Sequence, residues 1–318
     1  MRNSASACHI LSNTKKNLPL HKGVARTGLS LTGGKAYREI SSRLCGYPAA
    51  QGLLKEVYDF YGDCLSYTAS TDFTSTLYAI HLRHDPVALR SAEIQLQLGT
   101  GRTAEALTHE LLHLHLPTVG FPLGELVKVP LHLNHYAHVY LSMCNWVVNV
   151  VQHEINFRKF VALGFDAKRF LAGQETPIEY RKQLKPGIQQ KHAEGIDFSR
   201  WCIEYVRHVL TARHGGSQDR LRQARDVLGW GSRFHPELKQ TAVEIDRCFE
   251  TGRFDDPDQY SHQVNALLNV MRIPKFTGWV TLKRSEQGKP TAARSDTERI
   301  WSVGWACLYD RLLATGME

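Results

Sequence analysis

The alternation of apolar and polar positions is sharpest between residues 92 and 116. In the stretch 92–98, Ile94, Leu96 and Leu98 alternate with Glu93, Gln95 and Gln97, the period of a strand with one buried face. From Thr103 the period lengthens. Leu107, Leu111 and Leu114 fall at i, i+4 and i+7, which predicts an amphipathic helix over 103–116. Thr103 is its expected N-cap, Glu105 suits the positive end of the helix dipole, and Pro117 is its expected stop.

The same reading extends along the chain. Ile40, Leu44, Leu53, Leu54, Val57, Tyr58 and Tyr61 mark core positions of helical structure over 36–63, and 76–82 reads as a strand. After Pro117, TVGFPLGELVKVP carries two Gly and two Pro and reads as a loop. Residues 134–163 predict one long, mostly apolar and therefore buried helix. Along it His138, Ser142, Asn145, Asn149, His153 and Asn156 recur at intervals of three and four, tracing one polar stripe. Unpaired polar groups are costly in a core, so this stripe must face partners, water or a metal.

Further on, one helix carries Phe198, Trp201, Tyr205, Val209 and Leu210 and ends at Gly215-Gly216; a second follows Pro236 and stops at Gly252. A third opens at Asp256-Pro257, and a last one is capped by Asp296. Residues 276–283 read as a strand and 284–295 as a loop. The sum is an α+β chain, mostly helical, with a small sheet.

Composition narrows the setting. No apolar run approaches the ~20 residues a membrane helix needs, so no membrane partner is expected. The seven cysteines are scattered and form no C-x-x-C, which argues for a reducing cytoplasmic compartment and against a disulfide framework. The net charge of +8 is concentrated in one place: Arg2, Lys15, Lys16, Lys22, Arg26, Lys35 and Arg38 lie in a stretch without Asp or Glu. Setting those 7 aside from the chain's 39 basic residues leaves 32 against 31 acidic ones. The body is balanced, which argues against a nucleic-acid partner, and the Arg-rich stretch 219–225 reads as a solvated helix face. The expected organisation is a disordered basic leader over 1–35, a first folded domain over 36–172, a polar linker or lid over 173–195, and a mainly helical region over 196–318.

The chemistry-bearing motif lies on the 103–116 helix. His109, Glu110 and His113 spell H-E-x-x-H. Residues four apart share a helix face, so His109 and His113 can bind one metal ion, with Glu110 one step round and in reach of a water on that metal. Two protein ligands leave a zinc site incomplete. His153, on the polar stripe 40 residues after His113, is the favoured third ligand; the adjacent Glu154 is the alternative, and Asp166 a remoter one.

A strand running into an H-E-x-x-H helix resembles the zincin metallopeptidases, over about residues 90–170. The resemblance implies that the domain over 36–172 is a zincin-like metallopeptidase domain, in which the strand 92–98 lies at the sheet edge and pairs with an extended substrate. It implies one Zn²⁺ per chain, Glu110 as general base, and hydrolysis of a peptide or protein substrate. The match is incomplete. A metzincin would carry Gly and His where Leu116 and Val119 stand, and the Asn-Glu-x-x-x-Asp ligand helix of zincins with a downstream glutamate ligand is absent. Tyr136, His138 and Arg158, on or beside the long helix, are the nearest candidates for oxyanion or substrate contacts. His115, His132 and His135 are expected on the surface or in loops. Two rival readings stand beside this one: a non-catalytic protein stapled by zinc for binding or regulation, and a metal-free helical interaction protein whose polar stripe is a buried hydrogen-bond network.

Overall fold

The computed structural model describes residues 28–73, 75–82, 89–127, 137–171, 194–216, 219–284 and 290–294. The fold is α+β and mostly helical. It opens with β1 (Leu29–Thr32), α1 (Gly33–Arg43), α2 (Pro48–Tyr61), β2 (Leu65–Ser70), β3 (Leu77–Leu82) and β4 (Leu89–Gln97). These are followed by α3 (Thr103–Thr118), β5 (Leu123–Val127) and α4 (Ala137–Ala162). The C-terminal half adds α5 (Glu194–Arg213), α6 (Asp219–Gly231), α7 (Leu238–Thr251), α8 (Pro257–Val270), β6 (Phe276–Arg284) and β7 (Pro290–Arg294).

Strand order in the first sheet is β1-β2-β4-β3, with β2 and β4 parallel and the other pairs antiparallel. The alternation in β4 is real: Ile94 and Leu96 are fully buried. Its expected place at the edge is not. β4 lies between β2 and β3, and among the described residues β3 is the edge strand on that side. Alternation reports one buried face, a property that edge and interior strands share, so it carries no information about the number of neighbours.

Two hydrophobic cores build the molecule. The first joins α1, α2, α3 and the four-stranded sheet, with Tyr61, Tyr67, Ile94, Leu96 and Leu107 fully or almost fully buried. The second gathers α5 to α8 around the first half of α4. Three of the described elements serve both, α3 giving Leu116 to the helical core and its other leucines to the sheet core. α4, about 39 Å long at 1.5 Å per residue, gives Tyr140 to Val151 to the helical core and Phe160 to the sheet core. β6 gives Phe276 to one and Val280 and Leu282 to the other.

Several local expectations change. Part of the basic leader is ordered: Leu29–Thr32 pairs with β2, because its Leu-Ser-Leu-Thr alternation is a strand too short to stand out in a polar tail. α3 takes Arg102, not Thr103, as its N-cap and runs past Pro117 to Thr118. A proline obstructs the turn before it, while its own carbonyl can still accept, here from Gly120 N at 3.3 Å. The segment read as a loop after Pro117 contains β5, which pairs antiparallel with β6. Gly124 is required there, since a Cβ would lie 2.7 Å from the Phe276 ring. Likewise 290–294, read as loop, is β7. Residues 172–193 and the helix expected after Asp296 lie outside the described residues. No helix among those described is long and apolar enough to cross a membrane.

Candidate metal centre

α3 is buried on almost every side, wedged between α2, α4 and the sheet. Leu107, Leu111, Leu112 and Leu114 fill the first core, and Tyr61 Oη donates to the Leu114 carbonyl at 2.9 Å, which fixes the helix against α2. This leaves His109 and His113 facing α4, where the polar stripe turns inward: His138 is exposed, Asn145 and Asn149 are half-buried, and His153 and Asn156 are buried.

There the three histidines predicted from the sequence meet. His109 Nε2 lies 3.1 Å from His153 Nε2 and 3.2 Å from His113 Nε2. The ring centroids form a nearly equilateral triangle, with sides of 5.0, 4.9 and 5.0 Å. Each ring thus points the same nitrogen at a common centre. Ligands held at 2.0–2.1 Å around a tetrahedral zinc stand about 3.3 Å apart, close to the observed separations. With all three Nε2 atoms deprotonated, their converging lone pairs would repel one another unless a cation sat among them, and burial keeps the rings in the neutral form that has a lone pair to offer. His109 is pushed down to about 4 by burial, opposed by the backbone of Phe170. His113 and His153 are held well below the usual histidine value, by burial first and then by their neighbouring imidazoles. All three are therefore neutral near pH 7, the form that binds metal. The donor set fits zinc.

The supports around the triangle were not predicted. Gln152, next to His153 on α4 and buried, accepts at its Oε1 from His113 Nδ1–H at 2.8 Å and from Tyr78 Oη–H at 2.7 Å. Tyr78, on β3, also stacks flat on His113, with centroids 4.5 Å apart and planes 6° from parallel. Phe170, just after α4, packs on His109 at 4.8 Å and His153 at 5.5 Å.

The remaining candidates are distributed as follows. Glu110 is buried on α3, at 7% exposure, directly after His109. Glu154 is not part of the group that the three histidines form; it receives His214 Nε2–H at 2.9 Å. Burial works to raise the Glu154 carboxyl, but the His214 hydrogen bond and charge, with Arg213 and Arg158, hold it below the usual range. Asp166 is exposed and caps the short 3-10 turn after α4, accepting from Lys168 N at 3.0 Å. His138 is exposed fifteen residues before His153 on the same helix, about 22 Å along its axis. Arg158 is exposed beside Glu154. Neither is brought to the histidines. Tyr136, His132 and His135 lie outside the described residues.

No family model matches the chain, and neither a curated protein nor a solved structure is similar to it. The case for the site therefore rests on geometry alone. That geometry also corrects one expectation: His115 is not a surface histidine. It is buried at 4% exposure, gives its Nε2–H to Glu56 at 2.8 Å, and receives Lys159 Nζ at its Nδ1 at 3.1 Å. Its partners come from α2 and α4, 59 and 44 residues away. Nothing in the local pattern announces them.

Proposed function

We propose that this chain is a zinc-dependent metallopeptidase with a zincin-like core, its metal held by His109, His113 and His153. The observation that carries the proposal is the convergence of three neutral imidazole nitrogens, His109 lying within hydrogen-bond distance of the other two and all three within 4.8 Å, in a group that includes both histidines of H-E-x-x-H. Among the described residues this group supplies three protein ligands. Three ligands leave a fourth position for water or substrate, whereas a structural zinc site is closed by four.

When bound, the metal supplies a Lewis acid that polarises a carbonyl and acidifies a water. The protein's own residues do the rest. Glu110, carried one position beyond His109, takes the proton of the attacking water and passes it to the leaving nitrogen. β3, which pairs antiparallel with β4 and carries Tyr78 onto His113, is among the described residues the sheet edge beside the site and the element on which an extended peptide can lie. In this arrangement β3 takes the place that the sequence assigned to β4.

The test is Glu110→Gln. The amide keeps the size of the side chain but cannot accept the proton, so the variant should bind zinc as the wild type does and lose cleavage of a peptide library by at least about 100-fold. Cleavage at the wild-type rate would overturn the assignment of Glu110.

A further inference from the structure

We propose that Gln152 is the positioning residue of this centre: it holds His113 as the Nδ1–H tautomer, and Tyr78 locks the amide that does so. The proposal rests on the reading of the three histidines as metal ligands. It goes beyond that reading by assigning the orientation of one ligand to two residues that do not touch the metal.

Neutral imidazole carries one proton, and the nitrogen that lacks it is the ligand. For His113 Nε2 to face the centre with a lone pair, the proton must sit on Nδ1 and must find an acceptor, because the ring is only 1% exposed. Gln152 Oε1 is that acceptor, at 2.8 Å. An amide can rotate and present its NH₂ instead, which would force the proton onto Nε2 and abolish the ligand. Tyr78 opposes this. Its hydroxyl donates to the same oxygen at 2.7 Å, so both lone pairs of Oε1 are engaged, and a flip requires the phenol to turn its proton away at the same time as His113 gives up Nδ1–H.

The ring is constrained in its other degree of freedom as well. Tyr78 stacks against the face of His113, which fixes the plane of the imidazole, while the bond to Gln152 fixes its rotation within that plane. Tyr78 itself is held in register on β3, opposite Ile94 of β4. The direction of one metal ligand on α3 is thus set jointly by α4 and by the edge strand. Adjacent residues on α4 divide the work: a step of about 100° round the helix lets His153 point at the centre while Gln152 reaches behind His113.

The acceptor is also neutral. Metal-bound histidines commonly give their second N–H to a carboxylate, which makes the imidazole a stronger donor; an amide leaves it weaker. Gln152→Glu should therefore keep the tautomer and bind zinc at least as tightly as the wild type. Gln152→Met keeps the length and bulk of the side chain and deletes the acceptor.

Three readouts test this. In the metal-free protein, long-range ¹H–¹⁵N correlation should show His113 protonated at Nδ1 in the wild type and in Gln152→Glu, and as a tautomer mixture in Gln152→Met. Zinc affinity measured against a chelator should fall about 10–100-fold in Gln152→Met, should be restored in Gln152→Glu, and should fall only a few-fold in Tyr78→Phe, which retains the stack. The visible spectrum of the Co²⁺-substituted protein should change in Gln152→Met and not in Gln152→Glu. If Gln152→Met does not fold, the wild-type tautomer and the milder Tyr78→Phe variant still decide. Unchanged affinity and spectrum in Gln152→Met, or His113 protonated at Nε2 in the wild type, would overturn the proposal while leaving the metal site standing. A wild type that binds neither zinc nor cobalt would remove the site itself.

Discussion

His113 and His115 lie two residues apart on one helix, both buried, and they serve opposite purposes. His113 faces α4, meets two other imidazoles, and has its spare N–H fixed by a neutral amide. His115 faces α2, and both of its nitrogens are engaged by the charged groups of Glu56 and Lys159. Burial, Lys159 and the opposing pull of Glu56 together leave its pKa below the usual value. His214 likewise gives its Nε2–H to a carboxylate, that of Glu154. A histidine whose two nitrogens are engaged by neighbouring side chains is finished as a structural element. One whose nitrogen converges with other imidazole nitrogens is, on the proposed reading, completed by a cation. The difference lies in the partners, not in burial or in position on the helix.

The largest effect expected from this comparison separates the two residues directly. His113→Ala should abolish zinc binding, because two remaining imidazoles do not make a zinc site. His115→Ala should retain about one zinc per chain and lose about 1 kcal/mol of stability, since its Glu56 partner is largely exposed and the pair is screened by solvent. Elemental analysis and denaturant unfolding of both variants would check this. Zinc lost equally from both would erase the distinction.

The next effect is on the metal-free protein in acid. The three clustered histidines have folded pKa values depressed by burial, His109 to about 4 from an ordinary 6.5. Below pH 6.5 the unfolded chain takes up protons that the folded chain refuses. The stability these residues contribute is present above 6.5 and is lost as the pH falls toward 4. Urea midpoints of metal-free protein should therefore drop between pH 7 and pH 5, and saturating zinc at pH 7 should raise them. A midpoint flat across that range would contradict the burial of the cluster.

The smallest effects fall on residues that the sequence placed near the metal and the structure does not. Glu154→Gln should keep the zinc stoichiometry and weaken only the contact with His214. His138→Ala, at the far exposed end of α4, should leave both zinc content and stability unchanged. Loss of zinc in Glu154→Gln would return that residue to the ligand set.

The parts of this account that could be read from the sequence are those that repeat at short range. The alternation of Ile94 and Leu96, the leucine stripe of α3 and the polar stripe that leads to His153 are all local periodicities, and each finds its element in the fold. What could not be read depends on neighbours that are distant in the chain. Tyr78 and Gln152 are 74 residues apart, and His115 and Glu56 are 59 apart. No helical or strand period links such pairs. β5 was hidden because glycine and proline dominate its surroundings, although Gly124 is there to admit the Phe276 ring. The edge position passed from β4 to β3 because strand order is decided by which strands meet, not by the face each one buries.

The most direct test of the central claim is the metal content, by elemental analysis, of untagged wild-type protein beside His153→Ala. The account predicts about one zinc per wild-type chain and almost none in the variant, with both proteins folded at pH 7. Zinc retained in full by His153→Ala, or no zinc in wild-type protein even after it is added back, would contradict it.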